Sequence, residues 1–426
     1  MWRGVKVTKN NMAPKKNDRV LHKTDFPIYT VQSLGDRHFL AGGGGGQSRT
    51  GVPNIIEIFE LSCNASDGKL QAQSAFRYDT GTSAIMNSAT VDDGKRYVLA
   101  VGMEENCKVY SLKYKVAKPK PNKTPDTDDN LRKRKGNLTN SESHDSAPNV
   151  VTFEVDEIAD VKTDYSDDSG VQNVVRFSKD ASLMLTGGSD GYLRVWKFPD
   201  MKKSFEVKAY DDEVDDVAIS PKGNRIVTIG KSGAKVWNTK DGSKFLELVW
   251  PKKTEGKYRF RACRYGLVEN SDKKVVLYSA HIPLIRKKTS PSYIARWDAT
   301  DFQCKGVTML SEEIISCLDV STDGTFVGVG TIGGSVAVYI SFSLQQLYCI
   351  KEAHNIFVTG VNFLPSTDSV RALTGTQDFT LLSISADDQI QYHQVKNRTS
   401  YSFIWIMVGF IVIIYLLFYA LAELGL

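Results

Sequence analysis

One plan recurs along this chain at a spacing near 41 residues, and few folds accommodate it. A short apolar strand leads through a polar turn with Asp-Gly or Lys-Gly to a second apolar strand ending at Gly, then to a third ending in Trp or Tyr. The plan is clearest from Val174 to Trp196 and from Val214 to Trp237, whose terminal tryptophans stand 41 positions apart. It returns from Ile315 to Tyr339 and, more loosely, from Val358 to Val395. A lone unit of this kind cannot bury its apolar faces, so several must stack. A period of about 40–45 residues with terminal aromatics is the spacing of propeller blades. Weaker copies occupy 26–76, 83–114 and 257–305, the last with Trp297. The expected architecture is therefore all-β, a seven-bladed WD-repeat-like β-propeller over 25–396. A strand around Phe26 to Gln32 is expected to help close the ring against the last blade.

The end of the chain has a different character. Residues 403–422 form a run without a single charge, long enough as a helix to cross about 30 Å of hydrocarbon. Tyr401, Phe403 and Trp405 lie near one end and Tyr415 and Tyr419 nearer the other, as in an interfacial aromatic belt. Lys396 and Arg398 precede the run and Glu423 follows it, so the positive-inside rule keeps the propeller in the cytosol. The first 24 residues are rich in Lys and Arg and contain no apolar signal-peptide core. The expectation is a tail-anchored, single-pass protein of the endoplasmic reticulum membrane, with a C-terminal transmembrane helix over 401–422 and a lumenal tail over 423–426. The sequons beginning at Asn64, Asn122, Asn137 and Asn397 are then chance matches.

Composition removes several function classes. Over 426 residues the chain is 41% hydrophobic and 24% charged, too apolar for intrinsic disorder. Its net charge of +5, from 54 basic and 49 acidic side chains, is too balanced for a dedicated nucleic-acid binder. The cysteines at 63, 107, 263, 304, 317 and 349 form no C-x-x-C pair, which fits reduced thiols rather than a zinc ribbon or disulfide framework. Residues 1–24 read as a basic N-terminal extension. Residues 116–149, rich in Pro, Asn, Asp and Lys, read as a disordered insertion in the second blade. The basic stretches in both are ordinary solvated loops, with attraction to anionic lipid as an alternative for the first.

The most unusual segment runs from Ala41 to Asn54: five glycines at Gly42 to Gly46, then Gln47, Ser48, Arg49, Thr50, Gly51, Val52, Pro53 and Asn54. A phosphate loop is excluded, because Gln47 and Ser48 stand where its Gly and Lys belong, and a strand follows where a helix should start. Two readings remain. The segment is a plain hairpin loop, or its large ordering entropy is offset from outside the chain, for which carbonyls gathered around a cation would serve.

The glycine run with Gly51 to Asn54, the repeats and the C-terminal run together resemble the prolactin regulatory element-binding protein family, the Sec-type guanine-nucleotide exchange factors for Sar-type small GTPases. The segments Gly187 to Lys197, Arg261 to Gly266, Ser341 to Leu344 and Glu352 to His354 share in the likeness. The resemblance implies a seven-bladed cytosolic propeller that exchanges GDP for GTP on a Sar-type GTPase at the endoplasmic reticulum membrane. It implies a role in starting COPII vesicle formation, with COPII components as indirect partners and no nucleic acid. It further implies that the glycine loop projects from the first blade and inserts into the GTPase, with Asn54, Pro53 and Val52 as contact residues. A potassium ion would order the loop through carbonyls among Gly42, Gly43, Gly44, Gly45, Gly51 and Val52.

Exchange needs no covalent chemistry. A factor accelerates it by binding the nucleotide-free GTPase better than the GDP-bound form. Asn54 is expected to offer an uncharged hydrogen-bonding tip and Pro53 to fix the backbone. His354, before a blade strand, reads as turn-stabilising. The alternative to exchange is a membrane-tethered propeller scaffold for trafficking proteins.

Overall fold

The computed structural model describes residues 19–47, 51–64, 66, 68–117, 150–167, 169–250, 257–268, 271–285, 291–396 and 403–423. Most of the basic extension over 1–24, the bulk of the insertion over 116–149 and the tail over 424–426 lie outside them.

Seven four-stranded antiparallel sheets are present, covering 28–79, 87–162, 172–208, 214–248, 258–311, 315–350 and, for the seventh, 358–396 with Val20–Lys23. They are blades 1 to 7. The innermost strands, from Ile28–Leu34 in blade 1 round to Val358–Phe363 in blade 7, each pack on the next, and the last packs on the first. The ring is closed, and the seven-bladed propeller read from the repeats is what forms.

The core is divided among the blade interfaces. Leu34, Leu40, Ile56 and Ile58 of blade 1 pack against Leu99, Val101, Tyr110 and Leu112 of blade 2. Val174, Leu185 and Val195 of blade 3 likewise meet Val214, Val217 and Ile226 of blade 4. Because each blade is covered on both faces, its second strand is a continuous apolar run rather than an alternating one. Phe326–Thr331 is buried at every position. Such stacking leaves little room above the inner strands: a Cβ on Gly187 would lie 2.6 Å from Val214 Cγ1.

The terminal tryptophans act as struts across blades 3, 4 and 5. Trp196 and Trp237 donate to Thr186 and Thr228 Oγ1 at 3.0 and 2.9 Å, and Trp297 donates to Ser279 Oγ at 2.7 Å. Blade 7 uses imidazoles instead. His354 Nε2 and His393 Nε2 both lie 2.8 Å from Ser383 Oγ, and His354 Nδ1 lies 3.1 Å from Asp387 Oδ1. His354 is fully buried and holds the turn before blade 7.

Two expectations are corrected. The strand that pairs with the last blade is Val20–Lys23, antiparallel to Gln389–Lys396, so the propeller begins inside the expected 1–24 extension; the stretch from Phe26 to Gln32 also meets blade 7, but by packing as the innermost strand of blade 1. The second correction concerns the transmembrane helix over 401–422: among the described residues, no helix is long and apolar enough to cross a membrane. A helix does run over Phe403–Glu423.

His281 ties this core to pH. Its ring centroid lies 4.0 Å from that of Trp250 and 4.3 Å from that of Phe260. Burial pushes its pKa down to about 3 from an ordinary 6.5. The unfolded chain therefore takes the proton first, and the stability this group contributes is complete above about pH 6.5 and lost as pH falls toward 3. By pH 5 the loss is about 2 kcal/mol. Urea midpoints measured at pH 7 and pH 5 should fall accordingly in the native chain and fall less in His281→Gln; equal falls would contradict the assignment.

Candidate functional site

The glycine loop joins the second and third strands of blade 1, His38–Gly43 and Ile55–Cys63. In an antiparallel blade that end coincides with the connectors between blades. The loop accordingly lies against the connector 80–86 that leads to blade 2. Ser48, Arg49 and Thr50 are outside the described residues.

The glycines are not equivalent. Gly42 and Gly43 are buried in the strand ladder, opposite Thr30 and Ile56 and opposite Ile28 and Ile55. Gly44 leaves the strand with its N–H donating to Pro27 O at 3.1 Å. Its φ is +141°, and a Cβ there would strike the Asn54 side chain and lie 2.8 Å from Pro53 O. Gly46 and Gly51 have φ of +67° and +78°, where a side chain is disfavoured.

Asn54 is the organising residue. It is 4% exposed, at the base of the loop rather than its tip. Its Oδ1 accepts from Gly46 N at 2.9 Å, and its Nδ2 donates to Gly81 O at 2.8 Å. Its carbonyl accepts from Thr80 N at 2.9 Å and from Thr80 Oγ1 at 3.1 Å. One side chain thus joins both arms of the loop and fastens them to the connector. Val52 packs against the core between blades 7 and 1. Farther out, Gln47 Nε2 donates to Glu104 Oε1 of blade 2 at 2.9 Å. Thr80, Gly81 and Glu104 were not legible from the sequence. Only the Asp-Thr-Gly turn of 79–81 hints at a tight bend, which forms with Gly81 N donating to Asp79 Oδ1 at 2.8 Å.

Between the arms lies a cleft of about 560 Å³ lined by Gly46, Gln47, Gly51, Val52, Asn54, Gly81 and Thr82. Every donor these residues can offer a cation is a neutral oxygen. Among the described residues no cluster of His, Cys, Asp or Glu suited to a metal occurs. Neutral carbonyl oxygens suit a hard monovalent cation. Of the expected potassium ligands, Gly51 and Val52 line this cleft, Gly44 and Gly45 sit at its inner arm, and Gly42 and Gly43 belong to the ladder.

Fold and site define a WD-repeat propeller that carries an anchored, glycine-rich loop on its connector face. The family description "WD domain, G-beta repeat" matches residues 161–197, which run from the end of blade 2 into the third strand of blade 3. Over 414 residues the chain is 36% identical to the guanine nucleotide-exchange factor SEC12 of Rattus norvegicus and to that of Mus musculus, covering 93% of this chain and 96% of each relative. It is 24% identical over 231 residues to SEC12-like protein 2 of Arabidopsis thaliana, covering 54% and 53% of the two chains. The chain belongs to the SEC12 family of guanine nucleotide-exchange factors.

The contrast between two glycines checks the geometry. Gly44→Ala combines a clash with a strained φ and should cost at least about 3 kcal/mol. Gly51→Ala meets nothing within 4 Å and should cost only about 1–2 kcal/mol, through its φ. Urea unfolding reads both; equal losses would contradict the close approach at Gly44.

Proposed function

We propose that this chain catalyses GDP–GTP exchange on a Sar-type small GTPase, initiating COPII coat assembly at the endoplasmic reticulum, with the glycine loop as the element that engages the GTPase. Membership in the exchange-factor family supports the activity. The observation that carries the site is the double hydrogen bond of Asn54, which holds a glycine-rich segment in one shape before any partner arrives.

The mechanism is differential binding. A loop already ordered loses little further entropy on docking, so more of its interaction energy is available to favour the nucleotide-free GTPase. Half-buried Gly45, Gly46, Val52 and Pro53 and exposed Gly51 form the lip that meets the partner's nucleotide-binding region. Asn54 acts as a positioning residue that sets the height and spacing of that lip. Val52 keys it into the core and Pro53 limits its backbone. Carbonyls of Gly44, Gly45, Gly51 and Val52 would hold a potassium ion, whose charge draws the two arms together. Gly42 and Gly43 fix where the loop leaves the blade.

Fluorescent GDP release from a Sar-type GTPase tests this reading. The full chain should accelerate release, and Asn54→Ala should lose about 5–150-fold of the acceleration, equivalent to about 1–3 kcal/mol for the two hydrogen bonds. Replacing potassium by lithium should lower the rate as well. Full activity in the variant and in lithium would sink the loop mechanism. No acceleration by the native chain would favour a propeller scaffold for trafficking proteins without exchange activity.

A further inference from the structure

The tight turn of blade 2 formed by Glu104 and Glu105 stands beside the glycine loop and carries charge that the loop cleft lacks. It joins the strands Tyr97–Met103 and Asn106–Ala117, and Met103 pairs directly with Asn106 across it. Every residue lining the loop cleft is uncharged. Glu104 is exposed. Its Oε1 accepts at 2.9 Å from Nε2 of Gln47, the exposed residue that follows the glycine run. A carboxylate is thereby held against the loop that the exchange reading places in the GTPase.

The turn that presents this carboxylate is fixed. Glu104 has φ of +53°, in the left-handed region where a residue with a Cβ is uncommon and persists only when its surroundings hold it. Here the connector to blade 3 does so: Glu104 O accepts from Gln172 N at 2.6 Å, and Glu105 O accepts from Thr163 N at 2.9 Å and from Asp164 N at 3.1 Å. The two side chains of the turn differ in their partners. Glu105 pairs with Lys162 at 3.3 Å, whereas Glu104 makes no ion pair among the described residues and is oriented by the neutral amide of Gln47.

The chemistry of a GTPase supplies a role for such a carboxylate. GTPases of the P-loop kind hold the phosphates of the nucleotide with backbone N–H groups at a helix N-terminus, a lysine and Mg²⁺. Once GDP and Mg²⁺ leave, the lysine and the N–H groups keep a positive potential with nothing to balance it, which disfavours the nucleotide-free state. Resting on the exchange reading, we propose that Glu104 is a catalytic residue of exchange, whose carboxylate enters the vacated phosphate site and pairs with the positive groups there. While GDP is in place, phosphate charge repels the carboxylate; once GDP is gone, it makes charge-assisted hydrogen bonds in the phosphate's stead. Glu104 therefore binds the nucleotide-free state better than the GDP-bound one, the discrimination that acceleration requires. Gln47 is a positioning residue that keeps the carboxylate beside the loop until the partner arrives.

Fluorescent GDP release from a Sar-type GTPase, followed over a range of full-chain concentrations, separates the maximal rate from the affinity for the GDP-bound form. Glu104→Gln keeps an oxygen for the Gln47 amide and removes the charge. It should lower the maximal rate about tenfold or more, while half-saturation, melting temperature and protection of the Gly46 amide stay at their native values. Glu104→Asp, charged but shorter by one methylene, should fall between the two. Glu105→Gln, whose native carboxylate is already paired, should release GDP at the native rate. Added salt should slow the native chain more than Glu104→Gln, because screening acts on the charge. If the native chain accelerates release and Asn54→Ala loses the acceleration, but Glu104→Gln matches the native maximal rate or Glu105→Gln loses as much, the exchange reading stands and the role of Glu104 is overturned. No acceleration by the native chain overturns both.

Discussion

Closure of the blade ring is the constraint on which every other feature rests. Each blade buries both faces, so each needs a neighbour on either side, and seven blades satisfy this only if the last meets the first. The chain achieves it with four residues. Val20–Lys23 supplies the outer strand of blade 7, and Leu21 joins Phe26, Phe59, Ile384 and Ile390 in the layer between blades 7 and 1. That same layer seats Val52. The foundation of the glycine loop is therefore the seam at which the propeller closes, and the loop's position depends on a joint made by opposite ends of the propeller sequence.

A glycine-rich loop on such a foundation faces an entropic difficulty, since each glycine gives up more freedom on ordering than any other residue. The structure answers with short-range restraints rather than with bulk. Gly42 and Gly43 are held by the ladder, Gly44 by Pro27 O, and Gly46 by Asn54. Around the loop cleft the glycines Gly46, Gly51 and Gly81 leave backbone amide and carbonyl groups open to close approach. Such a surface suits insertion into another protein's phosphate-binding region, where space is narrow.

Much of this was legible in the sequence, for definite reasons. The blades could be read because several repeat an apolar strand, a polar turn and a terminal aromatic, whose ring N–H in blades 3, 4 and 5 finds a threonine or serine one strand away. The closing strand could not, because the stretch from Val20 to Lys23 is only four residues long, half of it polar, and continues a basic extension; its strand character comes from its partner, Gln389–Lys396. Asn54 could be singled out, but its burial could not, because that depends on the carbonyl of Gly81 across the connector. The uncharged run after Phe403 does form a helix over Phe403–Glu423. Its reading as a membrane crossing rested on the length of the uncharged run, its flanking aromatics and the basic residues before it, yet no helix among the described residues meets the length and apolarity a crossing needs.

The central claim is that the glycine loop is ordered in the free protein by Asn54, before a GTPase binds. Amide hydrogen exchange at Gly46 measures this directly, because its N–H donates to Asn54 Oδ1 and it lies in the lip. In the free native chain Gly46 should exchange at least tenfold more slowly than an unstructured glycine, with that protection lost in Asn54→Ala. Exchange at the unprotected rate in the native chain would contradict the account.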